Sequence, residues 1–145
     1  MRYIKSFNES FENDIEIIKD ITESSLVYLL DEGFKIDYTS PNFLNIPSSV
    51  LMVGIKVFAS KEYDATWNNI KDYFIPFIQR LKESYKLREN CFIIFTEPPI
   101  WEDGEIGKKS MSLSIDRLLK DSVFAGWWEI FCELKIESIT IYVED

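Results

Sequence analysis

The sequence predicts an α+β two-layer sandwich. A mainly antiparallel sheet of about five strands carries two long helices and one shorter helix on one face, in the order α-β-β-α-β-β-α-β. Two observations carry this reading. Apolar residues recur at helical spacing through Trp67, Ile70, Phe74, Phe77, Ile78, Leu81 and Tyr85, while five separate runs are apolar or alternate with the period of a strand. The strands are short and follow one another in pairs, which favours hairpins over parallel crossovers. With 145 residues and no internal repeat or low-complexity tract, the chain reads as one domain over 1–145.

The first helix is expected over 10–32. Ser10 can cap it, Glu12, Asp14 and Glu16 suit its positive end, and Gly33 can close it in a left-handed conformation. Phe11, Ile15, Ile18, Leu26 and Leu29 form one stripe; Ile17, Ile21 and Tyr28 form a second, flanking patch. A helix lying on one sheet needs only the first. The second patch packs either under an N-terminal arm (Tyr3, Ile4, Phe7) or against another chain, which includes a second copy of this one.

Residues 34–38 alternate as a strand with one wet face. After a loop with Pro41 and Pro47, residues 50–59 are apolar on both faces and read as a central strand, in which Gly54 marks a bulge or close approach. The second helix starts near Asp64 or Thr66 and runs to about residue 86, with a kink expected at Pro76. Residues 91–96 form a buried strand. Met111, Leu113 and Ile115 alternate with Ser110, Ser112 and Ser114 as another. A short helix covers about 122–133, and Ile139, Ile141 and Val143 mark a last strand.

The chain has no histidine, the usual general base and transition-metal ligand near neutral pH. That excludes catalytic triads, two-histidine phosphoesterases and ordinary catalytic zinc sites. Phosphate-binding glycine loops, the nucleophile elbow and Ser-x-x-Lys are absent too. The net charge of −9 argues against direct nucleic-acid binding and against docking on anionic lipid. It suits a basic protein partner, or simply solubility. Cys91 and Cys132 lie in apolar surroundings without metal spacing, so buried free thiols in a reducing compartment are expected. The opening residues lack the apolar run of a signal peptide, and the longest apolar stretch is too short to span a bilayer. A cytoplasmic location follows as the expectation.

The densest functional segment is 97–105, with Glu97, Glu102, Asp103 and Glu105 around Ile100 and Trp101. It does not follow the alternating acids of a calcium loop. Two prolines and Asp103-Gly104 make it a stiff loop between strands. Ile100 and Trp101 inside an acidic rim have the makeup of a contact hot spot; alternatively, Trp101 folds back onto the core. Trp127 and Trp128 cannot both occupy the centre of one buried face, so one belongs to the core and the other to an edge or interface.

The opening Met1-Arg2-Tyr3-Ile4-Lys5-Ser6-Phe7-Asn8-Glu9 resembles the start of many small proteins of tailed bacteriophages, which begin Met-Lys/Arg-Tyr-Ile/Leu-Lys-x-Phe-x-Glu and enter an acidic helix. The junction Leu29-Leu30-Asp31-Glu32-Gly33-Phe34 is similar to that group as well. The resemblance implies a phage or mobile-element origin and a host-cytoplasmic or virion location, and brings no catalytic or binding residues with it.

The reading as a whole is a non-catalytic protein-interaction module, acting as a virion component or as an accessory factor that binds a host protein. Its candidate contact residues are Glu97, Ile100, Trp101, Glu102, Asp103, Glu105, Trp127, Trp128, Ile17, Ile21 and Tyr28. No metal or other cofactor is expected. Three alternatives stand beside it: an acidic inhibitor that mimics nucleic acid, a small-ligand binder using Arg2, Arg80, Arg88 or Arg117, and an enzyme using carboxylates and Mg²⁺.

Overall fold

A computed structural model describes residues 7–39, 51–120 and 126–144, with the side chains of 7–12, 51 and 52 left out. The arm over 1–6, the Phe11 side chain, the 40–50 loop and the Ser122 helix start lie outside what is described; the first helix already begins at Phe7, so Ser10 lies inside it instead of capping it. The elements are α1 (Phe7–Ser25), α2 (Val27–Asp31), β1 (Lys35–Thr39), β2 (Leu51–Phe58), α3 (Trp67–Ser84), β3 (Lys86–Leu87), β4 (Asn90–Phe95), β5 (Ser110–Ser114), α4 (Ile115–Leu119), α5 (Gly126–Glu133) and β6 (Ile136–Glu144). The fold is α+β, with helices and an all-antiparallel sheet of six strands.

The strand order is β1-β2-β6-β4-β5, with β3 paired beside β4 on the same edge of β6. The last strand in sequence is therefore the centre of the sheet. Its Ile139, Ile141 and Val143 meet Val53, Ile55 and Val57 of β2 and Ile93 of β4 on the helix-facing side, all nearly or fully buried. A bulge between Ile94 and Phe95 opposite Ser138 and Ile136 resets the alternation, so Ile136 also points inward against Phe95. Strict alternation over 139–143 misses this start of the strand. On the other face, Ser138 lies between Phe58 and Ile94, and Thr140 between Lys56 and Phe92. These larger neighbours flank two small polar residues that are themselves buried.

Helix α3 supplies the facing layer. Every member of the predicted stripe from Trp67 to Tyr85 is buried, and Phe74 meets Trp67 and Phe77 ring to ring. The helix runs through Pro76, which is exposed. α1 lies antiparallel to it. The buried Asp14 accepts a 3.1 Å hydrogen bond from the Tyr85 hydroxyl, and the Arg80 guanidinium donates to Ser24 and Ser25 at the other end. α1 has no basic residue in its last turn, so Arg80 brings the cation that its negative end favours.

The expected single helix over 10–32 is broken at Leu26, whose φ/ψ of −104°/18° leaves the helical range. Thr22 donates its hydroxyl to Ile18 and Ser24 to Ile21, side-chain bonds that compete with the helix ladder and bend it. The predicted Gly33 closure is present. Gly33 has φ +99°, its N–H donates to Leu30, and Phe34 donates to Leu29, the paired bonds of a Schellman motif. One short helix, α4, escapes the sequence reading. Ser114 ends β5 and caps α4 by accepting from the Arg117 N–H at 3.0 Å.

Both cysteines are buried thiols outside any disulfide, as expected. Burial pushes the Cys91 thiol up to about 12, and its S–H donates to the Leu113 carbonyl. A thiol whose pKa rises from 9.0 to about 12 on folding stabilises the native state fully below pH 9, and that stabilisation is lost as pH climbs toward 12. Cys91→Ala should therefore flatten the alkaline limb of a stability-against-pH profile measured by urea unfolding between pH 9 and 11. At neutral pH, Phe77→Ala in the same assay should cost about 3–5 kcal/mol, the size for a large ring removed from a closed core.

Candidate protein-interaction surface

The acidic segment is the distal half of the β4–β5 hairpin. Phe95 donates to Lys109 in the register of the sheet, while Gly107 donates to Pro99, so the strand carrying Pro98 bulges and the hairpin continues past the sheet. Ile100 and Ile106 then form an isolated antiparallel bridge, and Trp101 donates to Glu105. Glu102, Asp103 and Gly104 make the loop, with Gly104 left-handed at φ +83° and the Asp103 carboxylate accepting from the Glu105 N–H at 3.0 Å.

This pairing decides which apolar residues face outward. Ile100 and Ile106 are 62% and 74% exposed. Trp101 takes the other course: it is half-buried against the core, with its ring lying over Gly107 so closely that a Cβ there would overlap it. The exposed apolar residues of the hairpin are thus the isoleucine pair and not the tryptophan. Ile106 was missed by sequence reasoning, although Ile100 and Ile106 stand symmetrically about Asp103 once the segment is drawn as a hairpin.

Glu97, Asp103 and Glu105 are exposed around this pair. Glu102 is exposed too, yet its carboxylate lies against Gly126, where any Cβ would collide with it. Gly126 is the first described residue of α5, so the carboxylate lies against that helix. The hairpin is thereby tied to the element that carries the tryptophan pair.

Trp128 is core, stacked on Phe131 at 4.9 Å, while Trp127 is half-buried and meets Trp128 edge to face. The Arg117 guanidinium stands 4.6 Å from the Trp128 ring and 5.5 Å from that of Trp127. Among the described residues, neither Arg117 Nε nor Trp128 Nε1 has a hydrogen-bond partner. Arg117 was named in the sequence only as one of the available arginines; its aromatic setting follows from α4, which the periodicity did not reveal.

The helix patch does not join this cluster. α1 lies toward β1, where Lys19 stands over the Tyr38 ring, whereas α5 lies toward β4, where Phe131 meets Phe95. Ile21 belongs to the core. Tyr28 stacks on Tyr73 of α3 at 4.8 Å, and Glu32 beside it raises its hydroxyl above the usual tyrosine range. Ile17 remains 47% exposed, together with Val27.

Among the described residues, no three of Cys, Asp and Glu gather as a metal site, and no helix is long and apolar enough to cross a membrane. No protein-family model, curated protein or solved structure matches the chain.

The two close approaches at glycine predict how the hairpin is held. Gly107→Ala should push Trp101 off its seat and shift tryptophan emission to the red. Gly126→Ala should displace Glu102 and speed amide exchange of residues 99–107, with far-ultraviolet circular dichroism unchanged in both.

Proposed function

We propose that this chain is a non-catalytic protein-interaction module of phage type, a virion component or an accessory factor for a host protein, with the hairpin over 99–107 as its contact element. The observation that carries the reading is the Ile100–Ile106 pair, two exposed β-branched side chains side by side on a stiff hairpin inside an acidic rim. Full burial of two such side chains is worth about 3–6 kcal/mol, enough to anchor a contact but not to complete one. The rim of Glu97, Asp103 and Glu105 favours a partner whose apolar pocket has a basic border, and it speeds and orients encounter more than it holds the complex. Surfaces that ordinarily bind nucleic acid have this makeup, which is where the reading as an acidic inhibitor meets the same hairpin.

The test compares capture of partners from host lysate by the tagged protein and by the Ile100→Asp, Ile106→Asp variant. Both positions are exposed, so the variant should fold, as circular dichroism can verify. One dominant protein should be retained by the parent, released by raised salt, and lost from the variant. Equal retention by the two proteins, or no specific capture by the parent, would overturn the assignment.

A further inference from the structure

We infer that Arg117 and the tryptophan pair form a binding site for an oxyanion, a carboxylate or a phosphoryl group. Among the described residues the arginines are Arg80, Arg88 and Arg117, and the first two are engaged. Arg80 donates to Ser24 and Ser25, and Arg88 stands 3.9 Å from the Glu144 carboxylate. The Arg117 guanidinium has neither a hydrogen bond nor an ion pair among the described residues. The acids nearest it in the chain and the fold are turned elsewhere. Asp116 pairs with Lys82 at 3.4 Å, and the Glu102 carboxylate lies against Gly126. With 25 acidic residues against 16 basic ones, this chain is not short of carboxylates to pair with an arginine. An arginine drawn toward the interior normally has such a partner.

The surroundings hold the guanidinium without neutralising it. The Ser114 hydroxyl accepts the Arg117 backbone N–H and so fixes the residue in the first turn of α4. The Trp127 and Trp128 rings stand at 87° to each other and make a corner. The guanidinium lies over both, 5.5 Å and 4.6 Å from their centres. Ring faces attract the cation but bring no formal charge to balance it. Arg88 supplies the contrast: its contact with the Tyr142 ring comes together with the Glu144 carboxylate. At Arg117 the aromatic half of that arrangement is present and the anionic half is not.

The donors in the corner state what would complete it. Arg117 is partly exposed, and Nε is the nitrogen sealed off without an acceptor, which leaves the terminal nitrogens as the open end. A carboxylate or phosphate binds a guanidinium there through two parallel hydrogen bonds. Trp128 Nε1, buried and also without an acceptor, adds a second unused donor to the cluster. A positive charge and donors lacking acceptors are the complement of an oxyanion, not of a cation or an apolar group. The site does not rest on the hairpin as a contact element.

The test is a titration of the isotope-labelled full chain with acetate, inorganic phosphate and N-acetyltriglycine, each against chloride at matched ionic strength. The Arg117 Nε–H and Trp128 indole N–H signals should move along a saturable curve with an oxyanion and not with chloride. Saturation by acetate and N-acetyltriglycine but not by phosphate identifies a carboxylate ligand, and the reverse identifies a phosphoryl group. The amide of N-acetyltriglycine should have no effect. Arg117→Lys keeps the charge but loses the planar fork, and should weaken binding about tenfold with circular dichroism unchanged. The parent spectrum decides even if that variant fails to fold, because it reads Arg117 Nε directly. No saturable shift of the Arg117 Nε–H with any of the three oxyanions would overturn the inference. So would binding that a folded Arg117→Lys variant retains at full strength.

Discussion

The fold rests on β6, a strand near the C-terminal end of the chain that holds the middle of the sheet. Along one edge it bonds β2, and along the other it bonds β3 and β4 in succession. Until it is in place, the β1–β2 and β4–β5 hairpins are separate two-stranded ribbons, a form that is marginal in water. Both hairpins join the sheet through these nine residues. The apolar side chains of β6 belong to the same buried core as those of α3.

That arrangement also supports the distal β4–β5 hairpin, which extends past the sheet. The distal hairpin leaves the sheet through a bulge and turns at a left-handed glycine, yet it is fastened at two places: the Trp101 ring over Gly107, and the Glu102 carboxylate at the start of α5. The helix end it meets is itself anchored by Trp128 and Phe131 in the core. Ile100 and Ile106 stay exposed because the side chains between them are committed inward or to turn bonds. An apolar pair presented on a constrained hairpin loses less entropy on contact than the same residues on a free loop. In the proposed interaction, the rim acids carry part of the net charge of −9 to the hairpin and so bias the choice of partner as well as its approach.

Most elements were legible where one periodicity ran uninterrupted. α3 follows from seven apolar positions at helical spacing, all of them buried, and the Gly33 closure follows from a glycine after the last apolar turn. The single first helix was overdrawn because Thr22 and Ser24 keep the apolar stripe in phase while their hydroxyls divert backbone carbonyls. α4 was missed for the opposite reason: Ile115 continues the alternation of β5, and only the Ser114 cap shows that the chain has turned. In the candidate site, the acidic loop and the division of labour between Trp127 and Trp128 could be read in advance. The exchange of Trp101 for Ile106 as the exposed apolar residue could not, since it depends on cross-hairpin pairing set by the bulge at Pro98.

By itself the sequence determined the class of the fold, the inward stripe of α3, the burial of both thiols and the exclusion of histidine chemistry. Each of these depends on local pattern or on residue type alone. The tertiary structure decided that the last strand is central, that Gly126 must be small to admit Glu102, and that Arg117 stands over two indoles. Those facts concern which distant residues become neighbours. Side-chain period fixes the face a residue points to, but not the strand or loop that comes to lie beside it.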